Sequence, residues 1–300
     1  MATVLVLGVG GILGEAWTWG YLGGAQAETG EDFRRARQII GTSAGSIVAA
    51  RLAAGEDPRR GEERIRWDGE LEPERRPNAL RAALDRASRI SVGAISPLAA
   101  PALSVAGPGG ALARAALLAR VPAGRIELRE LRSRVEAAGP RFDGRLNIVA
   151  VDRGSGRRVV FGADGAPEAS VGDAVVASCA IPGYFAPVEI GGREYVDGGV
   201  WSPTNLDLAR AGSDDRVLCL VPTAAMGTAP ALAMRGLAAG WRLATGVEAA
   251  AAGRRGAAVE VVGPDPEAVR AMGSDLMNPR RRTAALEAGF AQGARATAPV

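Results

Sequence analysis

The sequence contains no histidine. That absence alone excludes a Ser-His-Asp triad, a Cys-His dyad and a His-ligated zinc site. A serine nucleophile in this chain must find another base. Lysine is missing as well: all 36 basic residues are arginine, which reads as codon bias and carries no functional assignment. Only two cysteines occur, Cys179 and Cys219, giving neither a disulfide framework nor metal-ligand spacing, so burial is expected for both and no metal site is expected. The net charge of +3 is too small to direct the chain to nucleic acid, and the one dense basic cluster, Arg280-Arg281-Arg282, stands alone. Weak attraction to an anionic surface stays open.

Clean apolar spans are also lacking. The N-terminal run from Ala2 to Gly14, followed by Ala25-Gln26-Ala27, imitates a signal peptide. No basic residue precedes Arg34, however, Glu15 interrupts the run, and glycines crowd its centre. A first strand and loop are expected there, in a cytoplasmic protein. Ile90 to Ala113 carries no charge, but Pro97, Pro101 and Pro108 argue against a spanning helix. An irregular apolar lip over a binding site and a buried core connection both fit it.

What remains is an ordinary globular balance, 47% hydrophobic and 23% charged over 300 residues, enough for one large α/β domain or two smaller ones. Strands are expected at Thr3–Leu7, Ala36–Ile40, Leu146–Val151, Arg158–Phe161, Arg193–Val196, Arg216–Val221 and Ala257–Val262. Helices are expected from Glu15, over Ser46–Ala54, Ile126–Ala138, Val171–Cys179 and Leu232–Ala252, and from Pro266 and Pro279. Glu15 would sit near the positive end of its helix. Alternation of the two kinds points to an open α/β/α sandwich with a mostly parallel central sheet. The stretch from Glu56 to about Arg145 differs in character: Asp57–Arg89 is densely but evenly charged, and it reads as a helical or irregular insertion, about 56–145, in a single domain of 1–300.

Gly41-Thr42-Ser43-Ala44-Gly45 lies between an apolar strand and a good helix former. A G-x-S-x-G in that frame is a nucleophile elbow: glycines admit a strained turn, the serine Oγ projects from its apex, and the following helix N-terminus favours developing negative charge. Gly8-Val9-Gly10-Gly11-Ile12-Leu13-Gly14 follows the first strand. As a dinucleotide fingerprint it fails, because Leu13 occupies the third glycine position and no ribose-binding acid ends the next strand. As a glycine turn at a helix N-terminus it offers bare N–H groups for an anion or oxyanion. Asp197-Gly198-Gly199 supplies a carboxylate at a sharp turn, and a desolvated carboxylate can serve as a base.

These three pieces together resemble the patatin-like phospholipase family, in which a Gly-Gly-Gly-x-Arg/Lys-Gly loop precedes a G-x-S-x-G serine and a D-G-G/A aspartate. Ala177-Ser178-Cys179-Ala180-Ile181-Pro182-Gly183-Tyr184-Phe185-Ala186-Pro187 is similar to a stretch that the family carries before the aspartate. The resemblance covers roughly residues 3–55 and 146–295. It implies an esterase or phospholipase A without metal or organic cofactor, acting on a lipid ester with peripheral membrane contact. Ser43 would be the nucleophile and Asp197 its base. The oxyanion hole would be made by Gly10, Gly11 and Ala44, supported by Gly14, Gly41, Gly45, Gly198 and Gly199. Two departures stand out: Val9 replaces the first loop glycine, and Leu13 replaces the family's cation. They keep a second reading open, a catalytically weak lipid-binding or regulatory protein with the same fold.

Overall fold

The structure, a computed structural model, describes residues 2–60, 110–228 and 232–296. Most of the charged stretch and the uncharged stretch up to residue 109 therefore lie outside the described residues.

The first strand, β1 (Ala2–Leu7), sets the architecture. Val4 and Val6 point into one core while Leu5 and Leu7 point into another, so both faces of the strand are dry. β2 (Gln38–Thr42) and β3 (Leu146–Asp152) repeat the pattern, with Ile39 and Ile148 on one side and Ile40 and Val149 on the other. A strand buried on both faces must have layers above and below it. Those are supplied by α1 (Gly11–Thr29), α2 (Ala44–Ala53), α5 (Val171–Ser178) and α8 (Arg282–Gly293) on one face. Residues 206–211 and Ala249 of α6 (Leu232–Gly253) lie on the other. The remaining helices are α3 (Ala111–Arg120), α4 (Arg129–Ala138) and α7 (Pro266–Met272).

β4 (Arg158–Phe161), β5 (Val188–Ile190), β6 (Arg193–Asp197), β7 (Asp215–Leu220) and β8 (Ala258–Val262) complete a sheet of order β5-β6-β3-β2-β1-β7-β8, with β4 also paired to β3. Pairings among β3, β2, β1, β7 and β8 are parallel; β4, β5 and β6 pair antiparallel. This is the expected α/β sandwich with a mostly parallel sheet. Among the described residues no helix is long and apolar enough to cross a membrane.

Three local expectations need correction. The first helix starts at Gly11, not Glu15, so the second half of the glycine loop is already its first turn. Glu15 consequently meets Arg51 and Arg282 at 3.2 Å each instead of the helix's positive end. Ile126 falls outside α4: its carbonyl accepts the Ala186 N–H at 2.9 Å and it forms an isolated bridge with Phe185, which removes it from the helix. β2 runs on through Gly41 and Thr42 because both keep their parallel ladder to β3.

α1 and α8 touch backbone to backbone. A Cβ on Gly24 would stand 2.1 Å from the Phe290 carbonyl oxygen, and one on Gly293 would stand 2.1 Å from that of Tyr21. By contrast Gly246, inside α6, has nothing within 4 Å of the same position. Gly24→Ala should therefore force the helices apart and cost about 1–3 kcal/mol. Gly246→Ala should gain up to about 1 kcal/mol from helix propensity. Thermal unfolding of the two variants should move Tm in opposite directions; a Gly24→Ala protein as stable as the parent would remove the close contact.

Candidate active site

The sheet register brings the candidate residues together. Thr42 of β2 lies opposite Val149 of β3, so Ser43, one residue on, comes level with Ala150. Ala150 pairs in turn with Asp197 of β6. Serine and aspartate thus leave the sheet on either side of β3 at the same height. Their side chains are neighbours: the Ser43 hydroxyl favours the charged form of the Asp197 carboxyl, against the burial that disfavours it. Both residues are nearly enclosed, at 7% and 5% exposure.

Ser43 is held in a conformation that L-residues avoid, with φ 52° and ψ −121°. Such a backbone costs about 1–3 kcal/mol and persists only when its surroundings enforce it. Four contacts do so here. The Ser43 N–H donates to Ser178 Oγ at 2.9 Å, and the Ser178 hydroxyl donates in turn to the Val149 carbonyl at 2.6 Å. The Ser43 carbonyl accepts from Ser46 N–H at 2.8 Å and from Ser46 Oγ at 2.6 Å. The two elbow glycines are required by close approach. A Cβ on Gly45 would lie 2.0 Å from the Leu7 oxygen, and one on Gly41 would lie 2.6 Å from Ser46 Cα.

The glycine loop sits beside this elbow, since Leu7 pairs with Gly41 and the Gly8 carbonyl accepts the Gly45 N–H at 3.2 Å. Four of its amides are spent on structure: Gly8 N–H donates to Leu220 at 3.0 Å, Val9 N–H to Pro203 at 2.9 Å, Leu13 N–H to Leu276 at 3.0 Å and Gly14 N–H to Gly10 at 2.9 Å. Among the described residues no acceptor faces the N–H groups of Gly10, Gly11 or Ala44. Gly11 and Ala44 open α1 and α2, so their amides have no intrahelical partner and carry the positive ends of two helix dipoles. Gly10 and Gly14 pack on Pro222, within 2.9 Å of where their Cβ atoms would be.

The departures at Val9 and Leu13 are absorbed by packing. Leu13 is fully buried in the core on the α1 side. Val9 Cγ1 fills the space over Gly199, where a Cβ would come within 2.8 Å of it.

Asp197 has the environment of a base. Burial pushes its carboxyl up to about 6, against the opposing pull of the Ser43 hydroxyl and the Gly199 N–H, which donates to Oδ1 at 2.7 Å. Gly198 lets the turn lie on β3, with the Val149 oxygen 2.4 Å from its would-be Cβ. Cys179 stands behind the pair, 3.8 Å from Ser46 Oγ, and burial drives its thiol far above the usual range. It is a packing residue, not a second nucleophile. Among the described residues no group of three or more Cys, Asp or Glu side chains is arranged to hold a metal.

Sequence reasoning passed over several residues that shape the site. Ser178 was visible only as part of a motif, and Pro222 and Asn205 gave no local signal. The Asn205 amide donates to Thr42 Oγ1 at 3.1 Å and steadies β2 one residue before the elbow.

The patatin-like phospholipase family model matches residues 5–210. Among solved structures the chain is similar to VipD from Legionella pneumophila, at 17% identity and a TM-score of 0.44, covering 97% of this chain and 65% of that one. It is also similar to the type III effector protein ExoU, at 17% identity and 0.39, covering 98% and 52%. The ExoU–SpcU complex from Pseudomonas aeruginosa gives 21% identity and 0.32, covering 97% and 52%. The chain thus spans between half and two thirds of the length of these proteins. A search of curated proteins returned no match. The matched span takes in the glycine loop, the serine elbow and the Asp-Gly-Gly turn, and extends over more than half of the sequence: the chain belongs to the patatin-like phospholipase family.

Proposed function

We propose that the protein is a serine acyl hydrolase that cleaves a lipid carboxylic ester through an acyl-Ser43 intermediate. The observation that carries this reading is the convergence of a strained, buried serine on a buried carboxylate that no cation among the described residues neutralises. In the first half-reaction Ser43 Oγ attacks the ester carbonyl carbon while Asp197 accepts its proton. The oxygen of the tetrahedral intermediate takes hydrogen bonds from Gly10, Gly11 and Ala44 N–H, an arrangement typically worth ~3–4 kcal/mol per donor. Asp197 then returns the proton to the departing alcohol. In the second half a water attacks the acyl carbon, Asp197 takes the water's proton, and the serine leaves reprotonated. Neither half needs a metal or an organic cofactor.

The whole chain, 1–300, would act as one hydrolase domain, with 56–145 as its cap and contact with lipid made from the cytoplasmic side of a membrane surface. The free, buried state of Cys179 and Cys219 suits a reducing compartment. The second reading, a catalytically weak lipid-binding protein, rests on Val9 and Leu13. Their side chains serve packing while the three amides stay available, which favours the enzyme.

Ser43→Ala should abolish fluorophosphonate labelling and turnover of a p-nitrophenyl ester, with an unchanged circular dichroism spectrum. Turnover at the parent level would remove Ser43 from the mechanism. Asp197→Asn keeps shape but not basicity, so kcat should fall by about 10²–10⁴. In the unsubstituted protein kcat/KM should rise with pH along one limb with a midpoint near the Asp197 value of about 6, then level off. A profile flat between pH 5 and 8 would point to another base.

Stability should move the other way. Burial pushes the Asp197 carboxyl up to about 6 in the folded chain, above the 3.8 of a free aspartate, so the folded state holds the proton more tightly between those values. The favourable contribution is present below about 4 and lost as pH rises through about 6. Asp197→Asn should thus raise Tm at pH 7.5 and leave it nearly unchanged at pH 4. An equal or lower Tm at pH 7.5 would show that the carboxylate is not buried at a cost.

A further inference from the structure

One partly buried carboxylate plays no part in the chemistry above. Glu248, on α6, reaches across to the segment that follows the Asp-Gly-Gly turn. Its Oε2 accepts from Thr204 Oγ1 at 2.8 Å and from Leu206 N–H at 2.9 Å. Two donors from three consecutive residues converge on one oxygen.

The segment they belong to is a tight turn with two outputs. Asn205 is left-handed, at φ 55° and ψ 35°, and Ser202 Oγ accepts the N–H groups of Thr204 at 3.3 Å and Asn205 at 2.9 Å. The first output is the Pro203 carbonyl, which takes the Val9 N–H at 2.9 Å and lies 2.9 Å from the position of a Cβ on Gly8. The second is the Asn205 amide, which bonds Thr42 Oγ1 at 3.1 Å. One output thus grips the glycine loop and the other grips the strand that ends at Ser43.

We infer that Glu248 is a positioning residue, holding the glycine loop and the serine elbow in mutual register through the 202–206 turn. The inference rests on the Ser43–Asp197 reading above. Burial and the nearby Asp207 push the Glu248 carboxyl above its ordinary range, and hydrogen bonds, not a cation, are what hold it there. A carboxylate so placed costs free energy that an apolar side chain would not, and its two acceptor contacts are the feature an apolar side chain could not supply. Small displacements of a reacting group cost rate rather than fold, and a shift near 1 Å can remove about 10²-fold.

The test compares Glu248→Ala and Glu248→Gln on a soluble p-nitrophenyl ester, with Ser43→Ala measured alongside. Glutamine retains an acceptor oxygen for Thr204 and Leu206. Glu248→Ala should lower kcat and the rate of fluorophosphonate labelling by about tenfold or more at a KM within twofold of the parent. Glu248→Gln should recover kcat to within about threefold of the parent. Parent-level kcat in Glu248→Ala would overturn the inference, as would a rise in KM alone or a glutamine variant as slow as the alanine one. Should Glu248→Ala fail to fold, Thr204→Val removes one of the two donors at constant shape. It should slow kcat in the same sense, and parent-level kcat there would also overturn the inference. If Ser43→Ala retains turnover, the hydrolase reading itself fails. If Ser43→Ala is inactive while Glu248→Ala is fully active, only the positioning role is lost.

Discussion

A carboxylate placed in a protein interior without a cation costs free energy, and that cost is what turns an ordinary aspartate into a base competent near neutral pH. Asp197, the base in the proposed mechanism, is such a carboxylate: nearly enclosed, pushed up to about 6, and accepting one backbone amide. The surroundings must resist three ways of relieving it, namely water entry, rotation of the side chain and approach of an arginine. Pairing of β6 with β3 deals with the first two by fixing the backbone on both sides of the turn, with Asp197 N–H also tied to Ala180 at 3.0 Å. The third matters in a chain with 36 arginines. Among the described residues, two on the strands that flank β3 are engaged elsewhere: Arg158 pairs with Asp207 at 2.7 Å and stacks on Trp201, and Arg193 pairs with Asp152 at 2.9 Å.

The serine half depends on the same sheet. Strain at Ser43 is sustainable because β1, β2 and β3 are parallel, buried on both faces and fixed in register, so the ends of all three strands act as one rigid edge. Ligand sites in open α/β sheets gather at the carboxyl ends of strands for this reason. The glycine loop and the elbow emerge there, and the aspartate turn, ending antiparallel β6, is set beside them by its pairing with Ala150 of β3. Ser178 completes the edge from the helix layer, since its hydroxyl links the strained Ser43 amide to a β3 carbonyl.

Much of this was legible in the residues because it is local. Val4-Leu5-Val6-Leu7 reads as a doubly buried strand, Gly41 and Gly45 frame a serine at a strand-to-helix turn, and the absence of histidine leaves a carboxylate as the available base. What was missed depends on partners distant in sequence. Ser178 meets Ser43 across 135 residues, Asn205 meets Thr42 across 163, and Gly20 and Gly24 of α1 are explained only by α8. The start of α1 was misplaced because a glycine run is a poor helix signal. Gly11 opens the helix only because its backbone is packed against Leu276 and Met277, which a sequence pattern does not show.

The departures from the family's loop pattern follow the same division between side chain and main chain. An oxyanion hole of backbone amides needs the chain path and free N–H groups, not particular side chains. Val9 can replace a glycine because its amide is spent on Pro203 and its side chain packs over Gly199, leaving the path of the loop to Gly10 and Gly11. Leu13 can replace a cation because that position points into the core, where a leucine packs at no electrostatic cost. A cation there would have to leave the core or find a buried acid. The nearest turn of the same helix already holds Glu15, and that acid is shared between Arg51 and Arg282. Charge in this region is thus balanced one turn further along α1, and the face toward Ser43 is left to the two helix N-termini.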